Sequence, residues 1–148
     1  MTATSSPSPV AAMPPERMPR VLVVDDERRN RQLVEVMLET EGYEVSSVES
    51  GREALDAVAR RCPDLIILDV MMPGLNGYEV AALLKQDVLT RQIPIIMLTA
   101  LDDSNSRIHG LGAGAEEFLT KPVNRHELCL RVRNLLRLRT AFTAGPGA

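Results

Sequence analysis

Five short apolar runs alternate with five longer amphipathic segments along this chain, and this alternation is the feature that most constrains its fold. The apolar runs have the length of β-strands and occur at residues 21–24, 44–48, 65–68, 94–98 and 117–120. The intervening segments show the apolar spacing of amphipathic helices and cover residues 28–40, 51–61, 77–87, 103–112 and 124–139. Several runs are apolar at nearly every position, which indicates strands buried on both faces in a parallel sheet covered by helices. The sequence therefore predicts a doubly wound α/β fold.

The alternation begins at residue 20 and ends near residue 140, which fits a single globular domain. Residues 1–19 are rich in Pro, Ser, Thr and Ala without any periodicity, and we predict a disordered leader there. Residues 141–148 are predicted to form a flexible tail. The expected organisation is a leader, one domain over residues 20–140, and a tail.

Composition argues against two classes of partner. The formal net charge is −3 at pH 7 and aromatic residues make up 3% of the chain, so nucleic-acid binding by this domain alone is not expected. No apolar run approaches the ~20 residues that span a membrane, and the N-terminus lacks the apolar core of a secretory signal. We therefore expect no membrane contact and a cytoplasmic location. Cys62 and Cys129 lack metal-ligand spacing and are predicted to be free, buried or half-buried thiols.

Charged and polar residues follow four of the predicted strands. Asp25 and Asp26 come after the first run, Asp69 after the third, Thr99 after the fourth and Lys121 after the fifth. Taken singly, each has a simpler interpretation, as a helix N-cap or an ordinary loop residue. Together they are expected to meet, because the carboxyl ends of parallel strands share one edge of the sheet, where open α/β folds bind ligands. Three carboxylates at one place repel each other unless a cation lies among them, and Mg²⁺ is the natural ion for such oxygen ligands.

Four stretches carry a resemblance to a known family: "VLVVDD", "LIILDVMMPGLNGYEV", "IPIIMLTA" and "GAEEFLTKP", in this order. They resemble the receiver domain of bacterial two-component response regulators, and the resemblance covers about residues 20–139. It implies a flavodoxin-like fold with five parallel strands in the order 2-1-3-4-5. It also implies phosphorylation of the aspartate that ends the third strand, and dependence on Mg²⁺.

By position, the resemblance makes Asp69 the phospho-acceptor and Lys121 a ligand of a phosphoryl oxygen. It implies that Mg²⁺ is held by Asp25, Asp26 and Asp69, together with the backbone carbonyl of Met71. A carboxylate is a weak nucleophile toward phosphorus, so catalysis must come from neutralising and aligning the phosphoryl oxygens, which Mg²⁺ and Lys121 can do. Such a domain catalyses its own phosphorylation and dephosphorylation and is not otherwise expected to be an enzyme.

The resemblance further implies a conformational switch built on Thr99 and Phe118. In the family, the hydroxyl contacts the new phosphoryl group and the aromatic ring moves inward behind it. This changes the surface formed by the helix predicted over residues 103–112, the last strand and the last helix. The implied partners are a sensor histidine kinase or phosphotransfer protein, and a downstream protein, an output domain or a second phosphorylated copy. Phe118 has the simpler alternative of filling the core.

Three other interpretations share some features with this sequence, and two of them lack a residue pattern that they require. The C-terminal part is similar to receivers that precede cyclic-dinucleotide enzymes, which would make the chain a module of a longer regulator with an output such as a diguanylate cyclase. A haloacid-dehalogenase-type phosphatase also uses an aspartate nucleophile with Mg²⁺, but it needs a second acid two residues later, where Met71 stands here. A flavodoxin needs a Ser/Thr-rich phosphate loop after the first strand, where "DDERRN" stands here.

Overall fold

The computed structural model describes residues 18–100 and 113–143. Its strands are β1 (Arg20–Val24), β2 (Glu44–Val48), β3 (Leu65–Asp69), β4 (Ile95–Thr99) and β5 (Glu117–Thr120). Its helices are α1 (Arg28–Glu39), α2 (Gly51–Arg60), α3 (Gly77–Gln86) and α4 (Arg125–Thr143). The helix predicted over residues 103–112 lies outside the described residues.

The five strands form one parallel sheet in the order β2-β1-β3-β4-β5. In the register of the central strands, Val24 of β1 lies opposite Leu68 of β3, and Asp69 lies opposite Leu98 of β4. At the end of the sheet, Thr99 of β4 lies opposite Thr120 of β5. Because every pair is parallel, all five carboxyl ends lie along one edge of the sheet. The order and direction confirm the predicted flavodoxin-like, doubly wound fold.

Apolar side chains form one cluster on each face of the sheet, and β3 contributes to both. Ile66 and Leu68 pack with residues of α2 and α3, whereas Leu65 and Ile67 pack with residues of α1 and α4. All five residues of β3 are buried. This explains why the run is apolar at every position from 65 to 68, since each such side chain stabilises the fold by about 1.5–3 kcal/mol when it leaves water.

The starts of α2 and α3 are fixed by side chains that accept hydrogen bonds from backbone N–H groups of the first helical turn. Ser50 caps α2 by accepting from the N–H of Glu53 at 3.1 Å. Asn76 and Glu79 form a reciprocal capping box at the start of α3, with both hydrogen bonds at 2.9 Å. Each cap of this kind contributes about 1 kcal/mol to stability.

An ion pair between Lys85 and Glu116 lies at the amino ends of β4 and β5, at the edge of the sheet opposite to the acidic residues. Lys85, near the end of α3, places its Nζ 2.9 Å from Oε2 of Glu116. The same Nζ donates to the carbonyl of Ile93 at 2.8 Å, and the Glu116 carboxylate accepts the N–H of Ile95 at 2.8 Å. This Lys85–Glu116 clamp therefore ties α3 to the start of both strands.

Some boundaries differ from the sequence prediction for local reasons. β4 begins at Ile95 instead of Pro94, because proline has no N–H to donate to the ladder. β3 and β4 each extend by one residue, so Asp69 and Thr99 are the last residues of their strands. Helix α4 continues to Thr143, which places residues 141–143 of the predicted tail within the helix.

Neither cysteine is in a disulfide. Cys129 is buried as expected, but Cys62 is exposed, because it lies in the connection that follows α2 and not on its apolar face. Among the residues that the structure describes, no helix combines the length and the apolar character needed to cross a bilayer.

Candidate functional site

The acidic site lies at the carboxyl ends of β1, β3 and β5. Asp69 is the final residue of β3, Asp25 and Asp26 directly follow β1, and Lys121 directly follows β5. The parallel order puts β1 and β3 next to each other, so their terminal acids converge. The edge of the sheet thus gathers all four charged residues that the sequence placed together.

Distances within the acidic site are short. The Nζ of Lys121 lies 2.9 Å from Oδ1 of Asp69 and 3.7 Å from Oδ2 of Asp25. One carboxylate oxygen from each of Asp25, Asp26 and Asp69 lies within 4.8 Å of the others. Asp25 and Asp69 are only 1% and 2% exposed, whereas Asp26 is exposed to solvent. The geometry is that of three oxygen ligands converging on one point, with a single ammonium group beside them.

Burial dominates the electrostatics of this site. Loss of hydration raises the pKa of Asp69 to about 6, and the hydrogen bond from Lys121 only partly opposes this, while the charge of Asp25 adds to it. Burial likewise raises the pKa of Asp25 above its usual value. Burial alone would lower the pKa of Lys121, but its hydrogen bond to Asp69 and the nearby acids outweigh burial and raise it. Lys121 therefore stays charged, and two buried acids share one ammonium group.

The two oxygens of the Asp25 carboxylate have different surroundings. Its Oδ1 accepts the backbone N–H of Glu27 at 2.9 Å. Its Oδ2 is buried and accepts no hydrogen bond from any described residue. The backbone of Asp25 is also held, because its carbonyl accepts from Arg31 at 2.9 Å and its N–H donates to Val48 at 3.2 Å. Asp25 therefore presents one fixed, unsatisfied oxygen to the site.

The two residues of the predicted switch lie on the strands beside the acidic site. Thr99 is buried at the end of β4, and its carbonyl accepts the N–H of Lys121 at 2.7 Å. Phe118 is 8% exposed and belongs to the apolar cluster on the α2 and α3 face. Its ring is therefore part of the buried core on that face of the sheet. Met71 lies two residues after Asp69 and is 71% exposed.

Comparison with known proteins identifies the family. A sequence model described as the response regulator receiver domain matches residues 21–133. The chain belongs to this family. The receiver domain is 50% identical over 120 residues to the response regulator PleD of Caulobacter vibrioides, covering 81% of this chain and 26% of the relative. It is 46% identical over 127 residues to the phosphate regulon transcriptional regulatory protein PhoB of Pseudomonas aeruginosa, covering 86% and 53%.

Solved structures agree with this assignment. A putative response regulator from Chloroflexus aurantiacus superimposes with a TM-score of 0.80 at 40% identity, covering 82% of this chain and 99% of that chain. The receiver domain of the sensor histidine kinase PA1611 from Pseudomonas aeruginosa, crystallised with a magnesium ion in its active site cleft, gives a TM-score of 0.75 at 32% identity. That match covers 80% of this chain and 98% of that chain. This chain spans about a quarter of the length of PleD and about half of the length of PhoB.

Sequence reasoning missed one residue that supports the receiver site. Arg31 lies six positions after Asp25 and holds its carbonyl oxygen through Nη1. The sequence did contain a signal, because α1 opens with Arg28, Arg29 and Arg31 and no acid, which is unfavourable at the positive end of a helix dipole. A basic residue in that position needs a specific partner, and the Asp25 carbonyl supplies it for Arg31.

Proposed function

We propose that this receiver domain accepts a phosphoryl group on the carboxylate of Asp69, with Asp25, Asp26 and Lys121 as the supporting site residues. The observation that carries this proposal is the convergence of three carboxylates and one ammonium group at the carboxyl edge of the sheet. Asp69 has the central position, since it ends the fully buried central strand and contacts Lys121 directly. A rigid strand that ends at the site holds the nucleophile in a fixed direction.

The residues present fit a hard divalent cation. Oxygen atoms of Asp25, Asp26 and Asp69 lie close enough to share one ion, and Oδ2 of Asp25 is a buried acceptor without a hydrogen bond among the described residues. Mg²⁺ characteristically takes one or two carboxylates and keeps waters and phosphate oxygens. We propose that these three carboxylates hold Mg²⁺ together with the backbone carbonyl of Met71. When bound, the ion would neutralise the negative charge of the phosphoryl oxygens.

The chain's own residues would carry the remaining steps. An oxygen of Asp69 attacks phosphorus, the bond from phosphorus to the donor's leaving group breaks, and an aspartyl phosphate results. Lys121 is already 2.9 Å from the nucleophile, so its ammonium group can bind a phosphoryl oxygen beside it. Lys121 also offsets the repulsion between the donor and the buried acids, and this electrostatic help is the main contribution a protein makes to phosphoryl transfer.

Incubation with acetyl phosphate and Mg²⁺, followed by intact-mass spectrometry, tests the proposal. We expect one added phosphoryl group in the wild type and none in Asp69→Asn. Asp56→Asn is the matched control, because Asp56 is an exposed acid of α2 outside the site. An excess of chelator should prevent labelling. Labelling of Asp69→Asn to the wild-type level, or full labelling in chelator, would show that the assignment is wrong.

The proposed output is a change of surface that a partner reads. Thr99 lies at the site end of β4, and Phe118 lies on the neighbouring strand β5 opposite Met97. This arrangement supports the proposal that both residues respond to a phosphoryl group on Asp69. We propose a cytoplasmic sensor histidine kinase or phosphotransfer protein as the donor. A downstream protein, an attached output domain or a second phosphorylated copy would be the receiver of the signal. The low share of PleD and PhoB that the chain spans supports an attached output domain among these.

A further inference from the structure

Gly77, the first residue of α3, lies against the backbone of the proposed acceptor. A Cβ atom at position 77 would lie 2.9 Å from Cα of Val70 and 3.1 Å from the carbonyl carbon of Asp69. It would lie closer still to the carbonyl oxygen of Asp69. Contacts this short do not fit the close packing of protein interiors without movement of one partner. These neighbours are backbone atoms of Asp69 and Val70 and not the flexible end of a side chain. A side chain at position 77 would therefore displace the backbone of the site.

The contact is held from both sides by hydrogen bonds. The N–H of Gly77 donates to the carbonyl of Val70 at 3.0 Å, and the N–H of Val70 donates to Leu98 of β4 at 3.0 Å. The capping box of Asn76 and Glu79 fixes the turn that precedes Gly77. Residues 70–77 therefore form a loop whose two ends are bonded to each other, and Met71 lies within it.

We propose that Gly77 is a positioning residue for phosphoryl transfer. Its missing side chain lets α3 press on the carbonyl group of Asp69. This contact sets the direction of the Asp69 carboxylate and of the Met71 carbonyl, which are two of the four groups proposed to hold Mg²⁺. Gly77 begins a helix, so space and not an unusual backbone conformation accounts for the glycine. The proposal rests on the proposed function of Asp69, and it adds Gly77 as the residue that orients the Asp69 carboxylate.

Gly77→Ala should displace the loop from β3 and loosen the ion site. We expect the dissociation constant for Mg²⁺, measured by calorimetry without a phosphodonor, to rise about tenfold, as for other residues that orient metal ligands. At saturating Mg²⁺, labelling by acetyl phosphate should also slow by roughly tenfold or more, because misplacement of a reacting group by about 1 Å can cost about a hundredfold in rate.

Leu84→Ala is the matched control. Leu84 is buried in the apolar cluster on the α2 and α3 face and lies near the other end of α3, away from the carboxyl end of β3. Its truncation destabilises the fold without touching the loop, so Mg²⁺ affinity and labelling rate should stay within twofold of wild type. If Leu84→Ala weakens both as much as Gly77→Ala, general loss of stability explains the effect and the proposal is wrong. The proposal is equally wrong if folded Gly77→Ala matches the wild type.

Two further measurements keep the proposal testable. If Gly77→Ala does not fold, Asn76→Ala removes the cap of the same turn at a half-buried position. A weaker Mg²⁺ affinity of this variant supports the proposal, and an unchanged affinity refutes it. If the wild type itself is not labelled on Asp69, the proposed function fails. The positioning role is then judged from backbone amide resonances of Val70 and Met71, which must shift in Gly77→Ala and not in Leu84→Ala.

Discussion

Replacing the buried acid Asp69 by asparagine should stabilise the folded protein at neutral pH when no divalent ion is present. The pKa of Asp69 is raised in the folded state from 3.8 to about 6, mainly because burial disfavours its charged form. The folded state therefore holds the proton more tightly than the unfolded chain. The stability contributed by the protonated acid is complete below pH 3.8 and is lost as the pH rises through about 6.

The size of this change in the free energy of unfolding follows from the rise in the pKa of Asp69. Each pKa unit corresponds to about 1.4 kcal/mol, so the full penalty at high pH is about 3 kcal/mol. Between about pH 4.5 and 7.5, linkage gives a change of roughly 2 kcal/mol in the free energy of unfolding. Asparagine cannot ionise, so this change should be present in the wild type and absent in Asp69→Asn. The stability advantage of the variant should grow by that amount across the interval.

Urea denaturation followed by circular dichroism, in chelator at several pH values, measures the difference. Titratable groups that do not interact with Asp69 contribute equally to both proteins and cancel in the difference. Asp56→Asn shows what removal of an exposed acid does. Added Mg²⁺ should reduce the difference in the free energy of unfolding between Asp69→Asn and wild type at pH 7.5, because we expect it to bind the folded wild type more tightly than the variant. A stability difference between Asp69→Asn and wild type that does not change with pH would refute the argument that Asp69 is buried at an energetic cost.

Three shorter predictions concern other parts of the molecule. Lys85→Met should lower the free energy of unfolding by about 2 kcal/mol, because it leaves the Glu116 carboxylate without its cation. Urea denaturation measures this free energy, and an unchanged urea midpoint would contradict the prediction. Met71→Asn should shorten the lifetime of the phosphorylated protein about tenfold, because an amide can orient the attacking water and an exposed thioether cannot; equal decay of the labelled proteins would disprove this. Beryllofluoride should promote self-association in light scattering, and a monomer with the bound mimic would exclude it.

The fold could be predicted from the sequence because its strongest signals are local. β3 and β4 are buried on both faces and therefore appear as uninterrupted apolar runs. The end of α4 was harder to place, since its last turns carry residues such as the exposed Leu138 that do not show whether a helix continues. The prediction that Cys62 is buried or half-buried was also wrong, because burial of a residue in a connection depends on neighbours that are distant in sequence.

The candidate site was predicted to the extent that strand ends determine it. Asp25, Asp26, Asp69 and Lys121 converge because they lie at the carboxyl ends of three strands, β1, β3 and β5, of one parallel sheet. The raised pKa of Asp69 and the unsatisfied oxygen of Asp25 depend on burial in three dimensions, which residue types alone do not give. The hydrogen bond from Arg31 to the Asp25 carbonyl depends on the direction of α1 relative to the sheet, which residue types alone do not give.

The strand that ends in Asp69 has a further consequence for how this domain can diverge. Every side chain of β3 is enclosed, and consecutive residues press on opposite layers of helices, so it has no tolerant face. The edge strand β2 has no fully buried residue and can exchange side chains at little cost. Mutational tolerance should therefore rise from the centre of the sheet toward β2. Sequence differences between such domains are then expected mainly in the edge strands, while the apolar positions of the strand that carries the proposed acceptor should remain Ile, Leu or Val.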